Sequence, residues 1–180
     1  ELLSAYVLEK NGGLFISPGT IVYNMRNILC KLNSYDLVTF GGSLLNNSCT
    51  SKLYPNSYIL GCKANTEFIK LYKENLTNKF LSNAESIMSD ILLNNKINQF
   101  HFSCDCDGTR NDTNTIININ DYLGKKTIKY KNINNVSLIS IPYEELLRNN
   151  EHAWFTNLSY NQFTSMDIFI CRLLKKLLKI

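Results

Sequence analysis

Two thiols and two carboxylates stand together at Cys104-Asp105-Cys106-Asp107-Gly108. Thiolates suit zinc, and carboxylates suit magnesium or manganese. As a zinc site the cluster lacks a second pair at proper spacing, and His101 is the only nearby third ligand. As a hard-cation site, Asp105 and Asp107 form an Asp-x-Asp. The plainer reading is an Asp-Gly turn with solvated acids, so no metal is expected, and these four residues are the candidates should one bind. Glu144-Glu145 could act as an acid/base pair. They also fit the first turn of a helix, where negative charge suits the dipole. Glu67, Glu85 and Asp90 are helix carboxylates, read as surface. Trp154 is the only tryptophan. It could stack on a sugar face, and the reading preferred here is a core anchor. Ser17-Pro18-Gly19 is a turn-forming triplet directly after an apolar run. No catalytic residue stands out.

The chain has 180 residues, is 44% hydrophobic and 11% aromatic, and fits one domain with a real core. A net charge of +4 is mild and excludes strong nucleic-acid binding as an expectation. No run is long enough to span a membrane and no signal peptide is visible; an amino-terminal anchor before residue 1 stays open. Six cysteines, at 30, 49, 62, 104, 106 and 171, are scattered without a disulfide or zinc-ribbon pattern. They read as reduced, mostly buried thiols in a cytosolic setting. Five Asn-x-Ser/Thr triplets, at Asn46, Asn75, Asn111, Asn135 and Asn157, are what an Asn-rich chain produces by chance. The Asn, Ile and Lys bias points to an AT-rich genome.

The elements that must position these groups follow from periodicity. Leu3, Tyr6 and Val7 lie at i, i+3, i+4 and mark a helix stopped by Gly12-Gly13. Leu14–Ile16 is a short buried strand, and Ile21–Tyr23 continues extended. A helix over Met25–Leu32 and strands over Tyr35–Phe40 and Ser57–Cys62 follow, with a surface loop over Ser43–Pro55 between those strands. Asn65 is expected to cap a helix to about Phe80, with a second helix over Ala84–Asn95. The second half predicts strands at Gln99–Ser103, Ile116–Ile119, Thr127–Lys131 and Val136–Ile141. A helical turn at Tyr143–Arg148 comes next. A long amphipathic helix from Asn161 or Phe163 to Ile180 closes the chain, read as packed on the core, with a protein or membrane partner as the alternative.

Glu1, Gly12-Gly13 and the strand Leu14–Ile16 resemble the sugar-binding region of DxD glycosyltransferases of the GT-A fold, the group that includes capsular polysaccharide synthesis proteins. That family pattern is an acidic residue, an arginine three positions on, a helix ending in Gly-Gly, and a strand closed by Asp-x-Asp. Here Ser4 stands at the arginine place and Ser17-Pro18-Gly19 at the Asp-x-Asp place. The Gly61-Cys62-Lys63 strand end and the helix after it also match; the likeness covers residues 1–80 well and the rest loosely. Some large DNA viruses carry glycosyltransferase-like proteins with similar Gly-Gly strands lacking the acidic pair.

The resemblance implies an α/β fold, a GT-A-like mixed sheet flanked by helices, without the amino-terminal nucleotide-binding half, so that residues 1–180 are a single domain from a longer chain. It implies nucleotide-sugar contacts at Gly12, Gly13, Ser17, Gly19, Gly61 and Lys63, with Ser17–Gly19 at the diphosphate and Gly61–Lys63 beside the sugar. Glu85 and Trp154 would face sugar or acceptor. A hard divalent cation wants anionic oxygens, and Ser17 offers a neutral hydroxyl. No cofactor is therefore expected at the β-strand corner, and Mn2+ or Mg2+ would need ligands from elsewhere. The implied function is a glycosyltransferase-like protein with a degenerate metal site. The alternative is a non-catalytic structural or interaction protein, a virion component for instance. The implied location is cytoplasm or virion.

Overall fold

The computed structural model describes residues 1–41, 51–78, 82–104, 106–130, 137–141 and 143–179, without the side chains of 143–145. It is an α/β fold. In chain order the first half runs α1 (Leu2–Asn11), β1 (Gly13–Ile16), β2 (Thr20–Val22), α2 (Met25–Ser34), β3 (Leu37–Phe40), β4 (Ile59–Cys62), α3 (Glu67–Asn78), α4 (Ala84–Asn94) and β5 (Gln99–Phe102). The second half adds α5 (Ile119–Leu123), β6 (Leu138–Ser140), α6 (Tyr143–Arg148), a 3-10 turn (Asn150–His152), α7 (Ala153–Thr156), α8 (Tyr160–Ser165) and α9 (Phe169–Leu178).

The main sheet has the order β1-β4-β3-β5. β4 is antiparallel to both β1 and β3, pairing Gly13 with Cys62 and Leu37 with Cys62, while β3 and β5 are parallel, Leu37 opposite Gln99. β1, β3 and β5 therefore point the same way, and β4 points back. Their carboxyl ends, together with the start of β4, form one edge of the sheet. A second, two-stranded sheet pairs β2 with β6 antiparallel.

Strand residues alternate between two apolar layers, as a period of two requires. Leu37, Leu60 and Cys62 face α1, α3 and α4, where Ala5, Leu8, Phe68, Ile69, Tyr72, Ile87 and Met88 complete a buried cluster. Val38, Phe40, Ile59 and Phe102 face the other way, onto Ile28 of α2 and Leu138 of β6. A third cluster joins Ile119 and Tyr122 of α5, Ile139 of β6 and Phe169, Ile170 and Cys171 of α9. Each fully buried aliphatic or aromatic side chain contributes about 1.5–3 kcal/mol.

Several expectations are corrected. Ile116 makes only an isolated bridge with Arg110, and Ile119 begins a helix. Asn118 and Asp121 form a reciprocal capping box there, each side chain accepting the other's backbone N–H, which outweighs the β-branched run before it. Residues 127–130 form no regular element. Asn65 takes a left-handed backbone, φ 57°, and donates its N–H to Glu9, so it lies outside the helix that starts at Glu67. The closing helix is broken in two. Ser159 and Gln162 cap α8, and Met166 is extended. The Lys175 ammonium reaches back to the Thr164 carbonyl at the end of α8 (3.0 Å).

Candidate functional site

Polar groups collect at the carboxyl edge of β1, β3 and β5, the edge where ligands sit in open α/β sheets. Ser17 leaves β1 with its N–H bonded to the Tyr58 carbonyl just before β4 (2.9 Å). The next residues close a turn in which the Thr20 N–H donates to the Ser17 carbonyl (3.3 Å) and the two hydroxyls meet at 3.3 Å. Gly19 has φ 84°, the value that the third position of a type II turn demands and that a proline at the second position favours. Ser17 is buried. The turn thus spends its serine locally, and its Gly19 carbonyl accepts the Ile141 N–H (3.0 Å), tying the main sheet to the small one.

The neighbouring strand ends surround a carboxyl group. Asp107 is fully buried. Its Oδ1 accepts the Thr109 N–H (3.0 Å) and the Thr109 hydroxyl (2.6 Å), and its Oδ2 accepts a long bond from Asn56 Nδ2 (3.4 Å). The Asn56 N–H in turn donates to Phe40, and the Gly41 N–H to Phe102. Gly41 makes the room: it has φ 57°, and a Cβ built there would stand 2.0 Å from Asp107 Oδ2. Tyr122, also buried, donates to the Gly108 and Ser140 carbonyls over long bonds of 3.3 and 3.4 Å. Burial, then Tyr130, then the charge of Asp107 push its hydroxyl well above the usual phenol range.

A cavity of about 150 Å3 lies at the same edge, lined by Glu1, Ser57, Tyr58, Asn83 and Glu85 among others. Asn83 caps α4 by accepting the Glu85 N–H (2.8 Å), and Glu85 is buried rather than on the surface. Burial, then Glu1 and then Glu85 raise the Tyr72 hydroxyl above its ordinary range. The cavity is about half of the roughly 300 Å3 at which small-molecule pockets begin. It has room for one small polar group.

The fold divides the sequence candidates. Ser17, Gly19 and Glu85 lie at the carboxyl edge. Gly12, Gly13, Gly61 and Lys63 lie at the opposite edge, because β4 runs antiparallel and pairs Cys62 with Gly13. A four-residue strand at roughly 3.3 Å per residue separates the two groups by about 13 Å. Gly61 serves packing, since a Cβ there would meet Leu32 Cδ2 at 2.6 Å. Lys63 pairs with Asp36 (3.1 Å) on the surface. Trp154 is 43% exposed and edge-on to Phe155, and it is Phe155 that packs into the core; the anchor role falls to Phe155. Glu67 and Asp90 are exposed on their helices, and the side chains of Glu144 and Glu145 lie outside the described residues.

The Cys104–Asp107 cluster does not present four ligands together. Cys104 is buried and disulfide-bonded, its partner outside the described residues, which corrects the expectation of reduced thiols throughout. Asp105 lies outside the described residues. Cys106 is a half-buried thiol outside any disulfide, and Asp107 is held as above rather than solvated. The His101 ring meets the Thr39 hydroxyl at 3.0 Å, and that hydroxyl also accepts from Gln99 Nε2 (2.7 Å). No group of three or more His, Cys, Asp and Glu side chains able to hold a metal occurs among the described residues.

Sequence reasoning missed Asn56, Thr109 and Gly41 as the cradle of Asp107. An Asp-x-Thr spacing, in which the acid accepts the N–H two residues on, was the local signal; the rest is long-range. Likewise, no helix among the described residues is long and apolar enough to cross a membrane. On α9, Arg172 is bound to Asp167 (2.6 Å) and to the Lys125 carbonyl (2.6 Å), while Phe169, Ile170 and Cys171 are buried against α5 and β6. No family model, no curated protein and no solved structure matches the chain.

Proposed function

We propose that the chain is a glycosyltransferase-like domain of GT-A type whose sheet edge handles a nucleotide sugar without a divalent metal held at the end of β1. One observation carries the reading. The strand that resembles the family's sugar-binding strand ends at the carboxyl edge of a mixed sheet, and it ends in a neutral, self-bonded Ser17–Thr20 turn. A hydroxyl already shared with Thr20 offers a cation nothing comparable to two carboxylates. The small cavity beside Glu85 would take part of a sugar or acceptor.

Titration calorimetry on the full-length chain, with uridine- and guanosine-diphosphate sugars in manganese and in chelator, tests the reading. The expected result is donor binding of equal affinity in both. Binding that needs manganese and disappears when Ser17 is altered would contradict it.

A second reading, a non-catalytic structural or interaction module, is favoured by Asp107. The buried acid nearest the strand ends is committed to Thr109 and Asn56 and holds loops together. Failure of every nucleotide sugar to bind would select this reading over the first.

A further inference from the structure

The five Asn-x-Ser/Thr triplets are not alike in the folded chain. Asn46 and Asn135 lie outside the described residues. Asn75 is half-buried on α3, its Nδ2 donating to the Leu71 carbonyl (2.9 Å). Asn157 is exposed at the end of α7, its Nδ2 donating to Ala153 (2.8 Å).

Asn111 differs. It opens a tight loop between Arg110 and Ile116, which pair as an isolated antiparallel bridge. Its N–H donates to the Thr115 carbonyl (3.0 Å). Its Oδ1 accepts from the Thr113 N–H (3.0 Å), the Thr113 hydroxyl (2.8 Å) and the Thr115 N–H (2.8 Å). Among the described residues no acceptor lies within hydrogen-bond reach of its Nδ2, and residues 112–116 are exposed. The triplet's own threonine therefore holds the amide oxygen and leaves the amide nitrogen unspent.

A second observation comes from elsewhere in the chain. Cys104 is disulfide-bonded. Structural disulfides form and persist in oxidising compartments, which are also where Asn-x-Ser/Thr triplets are modified.

We propose that Asn111 is an N-glycosylation site, modified as the chain passes through an oxidising secretory compartment. The co-substrate class is a lipid-linked oligosaccharide diphosphate. The Asn111 Nδ2 bonds to the sugar C1 as the bond from C1 to the diphosphate oxygen breaks. The amide gives up one proton, and the lipid diphosphate leaves. The product is still an amide with an intact carbonyl oxygen, so all three bonds into Oδ1 survive.

The test is the full chain, produced through the secretory route of a eukaryotic cell that N-glycosylates. Intact mass and peptide mapping are recorded before and after peptide-N-glycosidase, with non-reducing mapping of Cys104 in the same sample. The expected result is a fall in mass on deglycosylation, conversion of Asn111 to aspartate, and a cross-linked Cys104 peptide. Asn111→Gln and Thr113→Ala should each lose that glycan, while Thr113→Ser and Asn157→Gln keep it. An unmodified Asn111 in protein whose Cys104 is cross-linked overturns the site. Reduced Cys104 with unmodified Asn111 overturns both the site and the compartment.

Discussion

Replacing Asp107 with alanine removes the acceptor that Thr109 and Asn56 share beside the ends of β3 and β5. The wild-type group is fully buried and receives two well-formed bonds from Thr109, at 3.0 and 2.6 Å, with a longer one from Asn56. At about 1.5–2.5 kcal/mol per well-formed bond, the loss comes to about 3–5 kcal/mol, because the donors are left facing a carbon. For a chain of 180 residues, at roughly 2–4 °C per kcal/mol, that is a fall in Tm of about 10 °C. Urea unfolding followed by circular dichroism reads the free energy directly. Thr109→Val alone removes only the hydroxyl bond and should cost about 1–2 kcal/mol. The double variant should cost less than the sum by about 1 kcal/mol, since both changes delete the same bond. An Asp107→Ala protein within about 1 kcal/mol of the parent, or strict additivity with Thr109→Val, would refute the reasoning that this acid is a structural clamp.

Burial pushes the Cys62 thiol up to about 12 from an ordinary value of 9.0. The folded state keeps this proton to higher pH than the unfolded chain, so the contribution is full below about pH 9 and is lost as pH rises toward 12, at up to about 1.4 kcal/mol per pH unit. Urea titrations across that range should show a steeper alkaline loss for the parent than for Cys62→Ala, and iodoacetamide should label the exposed Cys30 while sparing Cys62 in the folded protein. Gly12→Ala should cost more than Gly61→Ala. A Cβ at Gly12 meets the Ala64 backbone nitrogen at 2.7 Å, whereas one at Gly61 meets the movable end of Leu32, so about 1–3 kcal/mol is expected at Gly61 and more at Gly12; matching urea midpoints would contradict this. Trp154→Ala should change stability by under about 1 kcal/mol and Phe155→Ala by about 1–2 kcal/mol, measured by thermal unfolding, because of the two rings it is the half-buried Phe155 that packs against the core.

Local chemistry explains what the sequence made visible. The strands at β1, β3, β4 and β5 and the helices α2 to α4 each announce themselves by apolar spacing and by flanking Gly, Asn or Pro. The helix α1 forms where expected, but the face read as apolar is corrected: Leu3, Tyr6 and Val7 are exposed, and the helix buries Ala5 and Leu8 instead. The Ser17–Thr20 turn follows from Pro18 and Gly19 alone. What stayed hidden depends on pairing between distant residues. Nothing near Gly61 reveals that β4 runs against β1, and that single reversal carries Gly61 and Lys63 away from Ser17. Asp107 reads as a solvated turn acid because its burial depends on Gly41, far off in sequence, leaving space for its oxygen. The start of α8 could have been read from the Ser159–Gln162 capping box, whereas the break before α9, at the extended Met166, is hidden by the continuous apolar stripe from Phe163 to Leu178. Trp154 and Phe155 are adjacent, and which of two neighbouring rings turns inward is set by the surrounding packing.

The claim on which the account rests is that the corner after β1 does not hold a divalent cation. Manganese titration of the isotopically labelled chain, with a nucleotide diphosphate sugar present, tests it by paramagnetic broadening of amide signals. The account predicts that the Ser17, Gly19 and Thr20 amides keep their intensity to the same degree as amides at the opposite sheet edge. Selective loss of those three signals, reversed by chelator, would contradict it.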